Sequence, residues 1–272
     1  MTYIILILIS FSASVIGSIC GIGGGVIIKP VMDSFQIFSV STVSFLSGCI
    51  VLSMAAYSVV CSRLSGSCSI DSKRSGWLGL GAAVGGIAGK QLFEIIAEFT
   101  AGSERIGAVQ AAVLFAITFA TIIYTLNKEK IRSKKTESPA LCCLIGLGLG
   151  MMSAFLGIGG GPINLVVLYF FFSNCWFSSH NINSLDTKTA AQNSLYIILI
   201  SQFVSLLATV ASGEIPKIPL WLFVAMVCSG IFGGAVGRSI NKQISAKNVN
   251  RLFIGLLCVI MLVCCYNFSQ FI

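Results

Sequence analysis

Gly21-Ile22-Gly23-Gly24-Gly25 recurs letter for letter as Gly157-Ile158-Gly159-Gly160-Gly161, an offset of 136 residues in a chain of 272. Each copy interrupts a long apolar run. Glycine gains little from helical order and exposes backbone, so each run predicts a helix break. Inside a bilayer such a break is tolerated only where the freed backbone faces protein, a cavity or a ligand. Two breaks at matching places in two halves point to the binding site of a transporter.

Composition supports a membrane setting. Apolar residues make up 56% of the chain and charged residues 10%, with mean hydropathy +0.95. Soluble domains carry about 25% charged residues, so the sequence reads as an all-α polytopic membrane protein. The net charge is +8. The cations sit in short segments between apolar runs, where topology and anionic lipid headgroups account for them and nucleic acid does not. Met1–Ile4 lacks a positive leader, so the first apolar segment is expected to be retained. The eleven cysteines form no C-x-x-C pair. Cys49, Cys228 and Cys258 read as small core hydrophobes. Cys61 and Cys68 share a loop expected on the cytoplasmic side, where disulfides are rare. The single histidine, His180, reads as a solvated loop residue. No metal cluster, cofactor fingerprint, Ser/His/Asp set or carboxylate pair is visible, so neither cofactor nor enzymatic activity is expected.

A span needs about 20 mostly apolar residues. Runs 39–62, 104–126, 188–212 and 250–272 qualify, and 76–97 and 218–240 are glycine-rich but long enough. The stretches 3–36 and 140–178 each carry a glycine break. Each is expected to form a re-entrant hairpin or two short spans, returning the chain to its side of departure. That parity places thirteen of the seventeen cations on one side, leaving Lys29, Lys90, Arg105 and Lys217 on the other. The positive-inside rule favours it, with both termini outside. Each half then makes an odd number of crossings, which predicts two inverted-topology repeats: residues 1–126 and 139–272, joined by a cytoplasmic linker 127–138. Gly85–Lys90 (GGIAGK) resembles Gly233–Arg238 (GGAVGR), and Arg105-Ile106 resembles Arg251-Leu252. An insertion of about a dozen residues falls around Asn174–Thr187.

Helix N-termini present free N–H groups and partial positive charge, which attract anions. Half-helices starting near Val26 and Pro162 would aim two such ends at the midplane, and Pro162 suits a first helical turn. The candidate anion site is therefore Gly21, Gly23, Gly24, Gly25, Gly157, Gly159, Gly160 and Gly161, with close helix packing as the competing role of these glycines. Hydrogen-bond donors would come from Ser44 and from Gln192, Asn193 and Ser194, with Ser44 and Ser194 taken as equivalent. Asn164 is either a donor or a helix-interface residue. Lys29 either lends charge to the anion or, more simply, snorkels to the surface. Asp33, Glu94 and Glu98 are expected at solvated interfaces.

These features resemble the sulfite exporter TauE/SafE family of permeases. The family is marked by a G-x-G-G-G-x-x-x-x-P segment in each half, followed by a helix opening with a Thr/Ser-containing motif. Gly21–Pro30 matches the segment in full, whereas Pro162 directly follows the second set of glycines and no later proline appears there. Val43-Ser44 and Asn193-Ser194 stand where the family often has Thr-Ser. The resemblance implies secondary transport of small, often sulfur-containing anions, by a permease of bacterial inner-membrane type whose partners are a small anion and membrane lipid. A passive anion channel and a non-transporting scaffold are the rival expectations.

Overall fold

The computed structural model describes residues 2–65, 72–99, 103–127, 138–172, 187–213 and 215–271, and every regular element among them is an α-helix. The first half gives α1 (Thr2–Cys20), α2 (Gly25–Ser34), α3 (Val40–Leu64), α4 (Ser72–Phe99) and α5 (Ser103–Asn127). The second gives α6 (Pro139–Leu156), α7 (Pro162–Phe172), α8 (Thr187–Ala211), α9 (Leu220–Gln243) and α10 (Ala246–Phe271). Seven of these, α1, α3, α5, α6, α8, α9 and α10, are long and apolar enough to cross a membrane. α4 is longer than any of them but carries charge at both ends, including Arg74, Lys90 and Glu94. The linker 128–137, Cys68, His180 and nearly all of the expected insertion lie outside the described residues.

The glycine breaks divide each stretch into two helical arms, as expected, but the arms are unequal among the described residues. Each stretch is one full-length helix, α1 or α6, followed by a half-length one, α2 with 10 residues or α7 with 11. At 1.5 Å per residue the short arms reach only about 15 Å. The break geometry explains the glycines. Gly21 and Gly157 have φ of +75° and +64°, and Gly23 and Gly159 have +78° and +69°. An L-side chain in that left-handed region costs about 1–2 kcal/mol. α6 ends in a Schellman-type closure, with Gly157 N–H donating to Ala154 O (3.0 Å) and Ile158 N–H to Ser153 O (3.3 Å). At the end of α1, Gly21 N–H and Ile22 N–H both donate to Gly17 O (2.8 and 3.2 Å).

The two halves exchange partners. α4 packs along α6, and its counterpart α9 packs along α1. α4 also lies on α8 as α9 lies on α3, while α2 docks on α10 as α7 docks on α5. Small residues permit these close contacts. Gly81, Gly85 and Gly89 face the carbonyls of Cys143, Leu147 and Met151, so α4 and α6 run parallel. Gly233 and Gly237 face the carbonyls of Phe11 and Val15, and Asn241 Nδ2 donates to Ile19 O (2.6 Å), so α1 and α9 also run parallel. The GGIAGK and GGAVGR segments are thus matching packing faces. α3 and α8 cross the centre in opposite directions, with Gly48 early on α3 beside Gln202 late on α8.

Two charged side chains differ from expectation. Lys29 does not snorkel: it is 2% exposed, and its Nζ pairs with Asp33 Oδ2 at 2.8 Å. Asp33 is likewise buried, not at a solvated interface. Both sit on α2, a half-helix packed between α1, α3 and α10, which cover the two side chains. Asn267 on α10 fixes α2 further, donating to Pro30 O (2.7 Å) and accepting from Ser34 Oγ (2.6 Å).

Candidate functional site

The two breaks meet at the centre of the molecule. Ile158's carbonyl lies so close to Gly25 that a Cβ there would overlap it, and a Cβ on Gly160 would lie 3.5 Å from Ile22 O. Val51 and Ile198 fill the remaining space, within 3.3 and 3.5 Å of a Cβ at Gly23. α2 and α7 do start just after the glycines, at Gly25 and Pro162. The breaks themselves pack together, however, and the open volume lies to one side of the second break.

That volume is a cavity of about 420 Å³. Its inner wall is Gly157, Gly159, Ser153 and Gln202, and its sides are Ser44 and Gly48 from α3 with Ser205 and Thr209 from α8. Lys90 and Glu94, paired at 3.3 Å, stand in its wall near the end of α4. Lys90 Nζ also donates to Ser212 Oγ at 3.1 Å. Donor supply is uneven. Ser44 Oγ already donates to Val40 O at 2.8 Å, and Thr209 Oγ1 to Ser205 O at 3.0 Å. Ser153 Oγ is buried with no hydrogen-bond partner among the described residues. The Gln202 carboxamide, resting against Gly48 and Gly159, offers two further N–H donors. The N–H groups of Gly159, Gly160 and Gly161 have no backbone acceptor among the described residues. An uncharged donor set of this kind suits an oxyanion in an apolar surrounding.

The expected site residues fall into three groups. Ser44, Gly157 and Gly159 line the cavity. Gly21, Gly23, Gly24, Gly25, Gly160 and Gly161 form the buried seam behind it, Gly21 against Ala191 and Gly161 O accepting from Asn164 N–H at 3.1 Å. Gln192, Asn193 and Ser194 are elsewhere. Gln192 lines a second, smaller cavity. Asn193 is buried against α4, accepting from Ser75 Oγ (2.9 Å) and donating to Thr189 O (2.8 Å). Ser194 and Asn164 are buried, with Ser194 Oγ and Asn164 Oδ1 unpartnered among the described residues. Lys29 reaches the back of the cavity wall, its Cε 3.1 Å from where a Gly157 Cβ would stand.

Ser44 and Ser194 are not equivalent. The contacts of the two breaks set the offset between α3 and α8 at 147, which pairs Ser44 with Ala191 and Ser47 with Ser194. Gly157 abuts Ser44, and Gly21 abuts Ala191. Sequence reasoning missed Ser153, Gln202, Ser205 and Thr209. The last three sit at i, i+3 and i+7 on α8, a polar stripe on an otherwise apolar helix.

Comparison with known proteins agrees with the architecture. A family model described as sulfite exporter TauE/SafE matches residues 6–263. The probable membrane transporter protein YunE of Bacillus subtilis (strain 168) is 21% identical over a 272-residue alignment that covers 92% of each chain. No solved structure matches significantly. With seven membrane-length apolar helices and a family match over nearly its whole length, this chain is an integral membrane transporter belonging to the sulfite exporter TauE/SafE family.

Proposed function

We propose that the chain carries a small oxyanion, of the sulfite or organosulfonate class, and binds it in the cavity beside Gly157 and Gly159. The observation behind this reading is the wall of that cavity: unpaired Ser153 Oγ, the Gln202 amide and the Gly159 backbone amide, which lacks a backbone acceptor, among apolar helices. Polar groups at such depth are expensive unless they serve a ligand or a pathway. No cationic side chain is needed within the wall, because helix-break amides supply the partial charge. Lys90 at the side of the cavity is paired with Glu94, so the pair adds no net charge there. The site performs binding and release, and no bond-making step is assigned to it.

The halves are read as inverted repeats in an inner membrane, with both termini outside. The parallel α4–α6 and α1–α9 pairs and the opposed α3 and α8 support that arrangement. Under it, the open cavity faces outward and the Arg63, Arg238 and Lys242 end faces the cytoplasm, in keeping with the positive-inside rule.

Thermal unfolding of the purified protein against sulfite, sulfate, a short alkylsulfonate and acetate tests the assignment. A bound anion at a hundred times its Kd stabilises by about 2.7 kcal/mol. Sulfite or the sulfonate should raise Tm, and Gln202→Leu combined with Ser153→Ala should remove the shift while the protein stays folded. A shift that survives both substitutions places the site elsewhere, and no shift with any sulfur anion removes the substrate assignment.

A further inference from the structure

The second cavity, about 30 Å³, lies at the far end of α3 and α8 and is walled by Ser18, Ser58, Ser62, Gln192, Arg238 and Asn241 among others. Its α3 and α8 walls correspond to those of the large cavity, whereas Gly17, Gly21, Gly23 and Ala55, the counterparts of Ser153, Gly157, Gly159 and Gln202, do not line it. Ser41, Ser44, Phe45 and Gly48 line the large cavity, and the residues 147 further on, Lys188, Ala191, Gln192 and Leu195, line the small one. In the other direction, Ser58, Val59 and Ser62 line the small cavity, while Ser205, Leu206 and Thr209 line the large one. Lys90 of one matches Arg238 of the other. Within each series the residues recur at three- and four-residue spacing, so each traces one face of a helix.

Between the cavities that face carries Val51 on α3 and Ile198 on α8, also 147 apart. Both are fully buried and share an apolar cluster with Met54, Ala55 and Leu195. α3 and α8 therefore describe one route through the molecule: an open cavity, an apolar layer on the pseudo-two-fold axis, and a collapsed cavity. The two ends differ in helix approach, α1 packing on α3 more closely than α6 on α8. Ser18 Oγ lies 3.3 Å from Ser58 Oγ across the small cavity, while their counterparts Ala154 and Ser205 line the large one with no hydrogen bond between the two. The cation latches are alike at both ends, Arg238 Nη2 to Ser65 Oγ (3.3 Å) and Lys90 Nζ to Ser212 Oγ (3.1 Å), so they are not what distinguishes open from closed.

We infer that the small cavity is a second anion-binding vestibule, closed in this structure, in which Arg238, Lys188 and the Gln192 amide receive the anion once the Ser18–Ser58 contact parts. This rests on the anion-carrier reading, and it assigns Gln192 to the far end of the route. Access then alternates, with one α1–α3 or α6–α8 contact closed while the other is open.

Paired cysteines in the full chain test this, with each single substitution as the control for the native thiols. Serine and cysteine are close in size, so folding is expected to be kept. Oxidation of Ser18→Cys/Ser58→Cys should abolish sulfite flux in proteoliposomes, reversibly with reductant, while the sulfite-induced Tm shift persists. Cross-linked protein that still moves sulfite overturns the second vestibule and leaves the carrier reading intact. A ligand-free arm separates the two ideas. Ala154→Cys/Ser205→Cys should cross-link in a fraction of molecules, and a Ser62→Cys added to that pair should then react with a hydrophilic maleimide. If the pair never cross-links, or Ser62→Cys stays protected when it does, the inference fails. If Ser62→Cys becomes reactive but the parent chain neither binds nor moves sulfite, the vestibule stands and the sulfite assignment falls.

Discussion

Gly157 meets two demands that no other residue type satisfies together. Its φ of +64° closes α6, and its missing side chain leaves room for Ser44 Oγ and the Lys29 stem. Gly157→Ala should therefore lose about 1–2 kcal/mol to the left-handed backbone alone, before any clash. Gly148, on the same helix, has nothing within 4 Å of where a Cβ would stand, and its replacement by alanine should stabilise by about 0.5–1 kcal/mol. Thermal unfolding of the two variants in one detergent checks the contrast, and equal responses would show that the break is not constrained as described. The Lys29–Asp33 pair gives a second test at this scale. Lys29→Met leaves the Asp33 carboxylate buried without its partner, and breaking a buried pair in this way costs about 3–5 kcal/mol. Lys29→Met/Asp33→Leu removes both charges and should regain most of that stability. If the double variant is as unstable as the single one, the pair is not what holds α2. If it is stable but no longer binds sulfite, Lys29 acts on the cavity through the Gly157 wall.

At the scale of elements, packing between halves depends on small residues at four-residue spacing. A side chain at Gly85 would run into the Leu147 carbonyl, and α4 and α6 could not keep their separation. Gly85→Leu should prevent accumulation of folded protein, while Gly76→Leu, which faces open space on the same helix, should be tolerated; size-exclusion profiles in detergent report both. The long elements were legible in the sequence because apolar length is a bulk property, and α3, α5, α8 and α9 start and stop within a few residues of the runs read for them. The breaks were legible because glycine runs have one backbone consequence. The inequality of the arms was not: what ends α2 is the turn after Ser34, where Gln36 takes φ of +50°, and no composition signal marks it. The Ser44–Ser194 equivalence failed for a related reason. Residue type suggested it, but the contacts of the two breaks set a register three residues away. Gln202, Ser205 and Thr209 were visible as a polar stripe, yet Ser and Thr so often bond back to their own helix that the stripe drew no notice.

For the molecule as a whole, the inverted-repeat reading proposed above makes a barrier necessary. Two cavities built from the same face of α3 and α8 would join into a pore unless something apolar closed the axis. Val51 and Ile198 occupy that position, each touching the glycine seam of a break. Val51 and Ile198 are the members of their apolar cluster that meet the break glycines. Thinning that layer should convert coupled movement into leak. Ile198→Val removes one methylene and should cost about 0.5–1.5 kcal/mol with transport intact. Val51→Ala/Ile198→Ala should open a continuous polar route, seen as sulfite efflux from proteoliposomes that no longer depends on anion on the opposite side. The same leak should stop when Ser18→Cys/Ser58→Cys is oxidised in that background, since the route would still end at the closed vestibule. A double-alanine protein that folds and stays as tight as the parent would mean the axis is sealed by the backbone seam itself. In that case the closing force lies in the contact of Gly25 with the Ile158 carbonyl, and side chains at Val51 and Ile198 serve only to fill space.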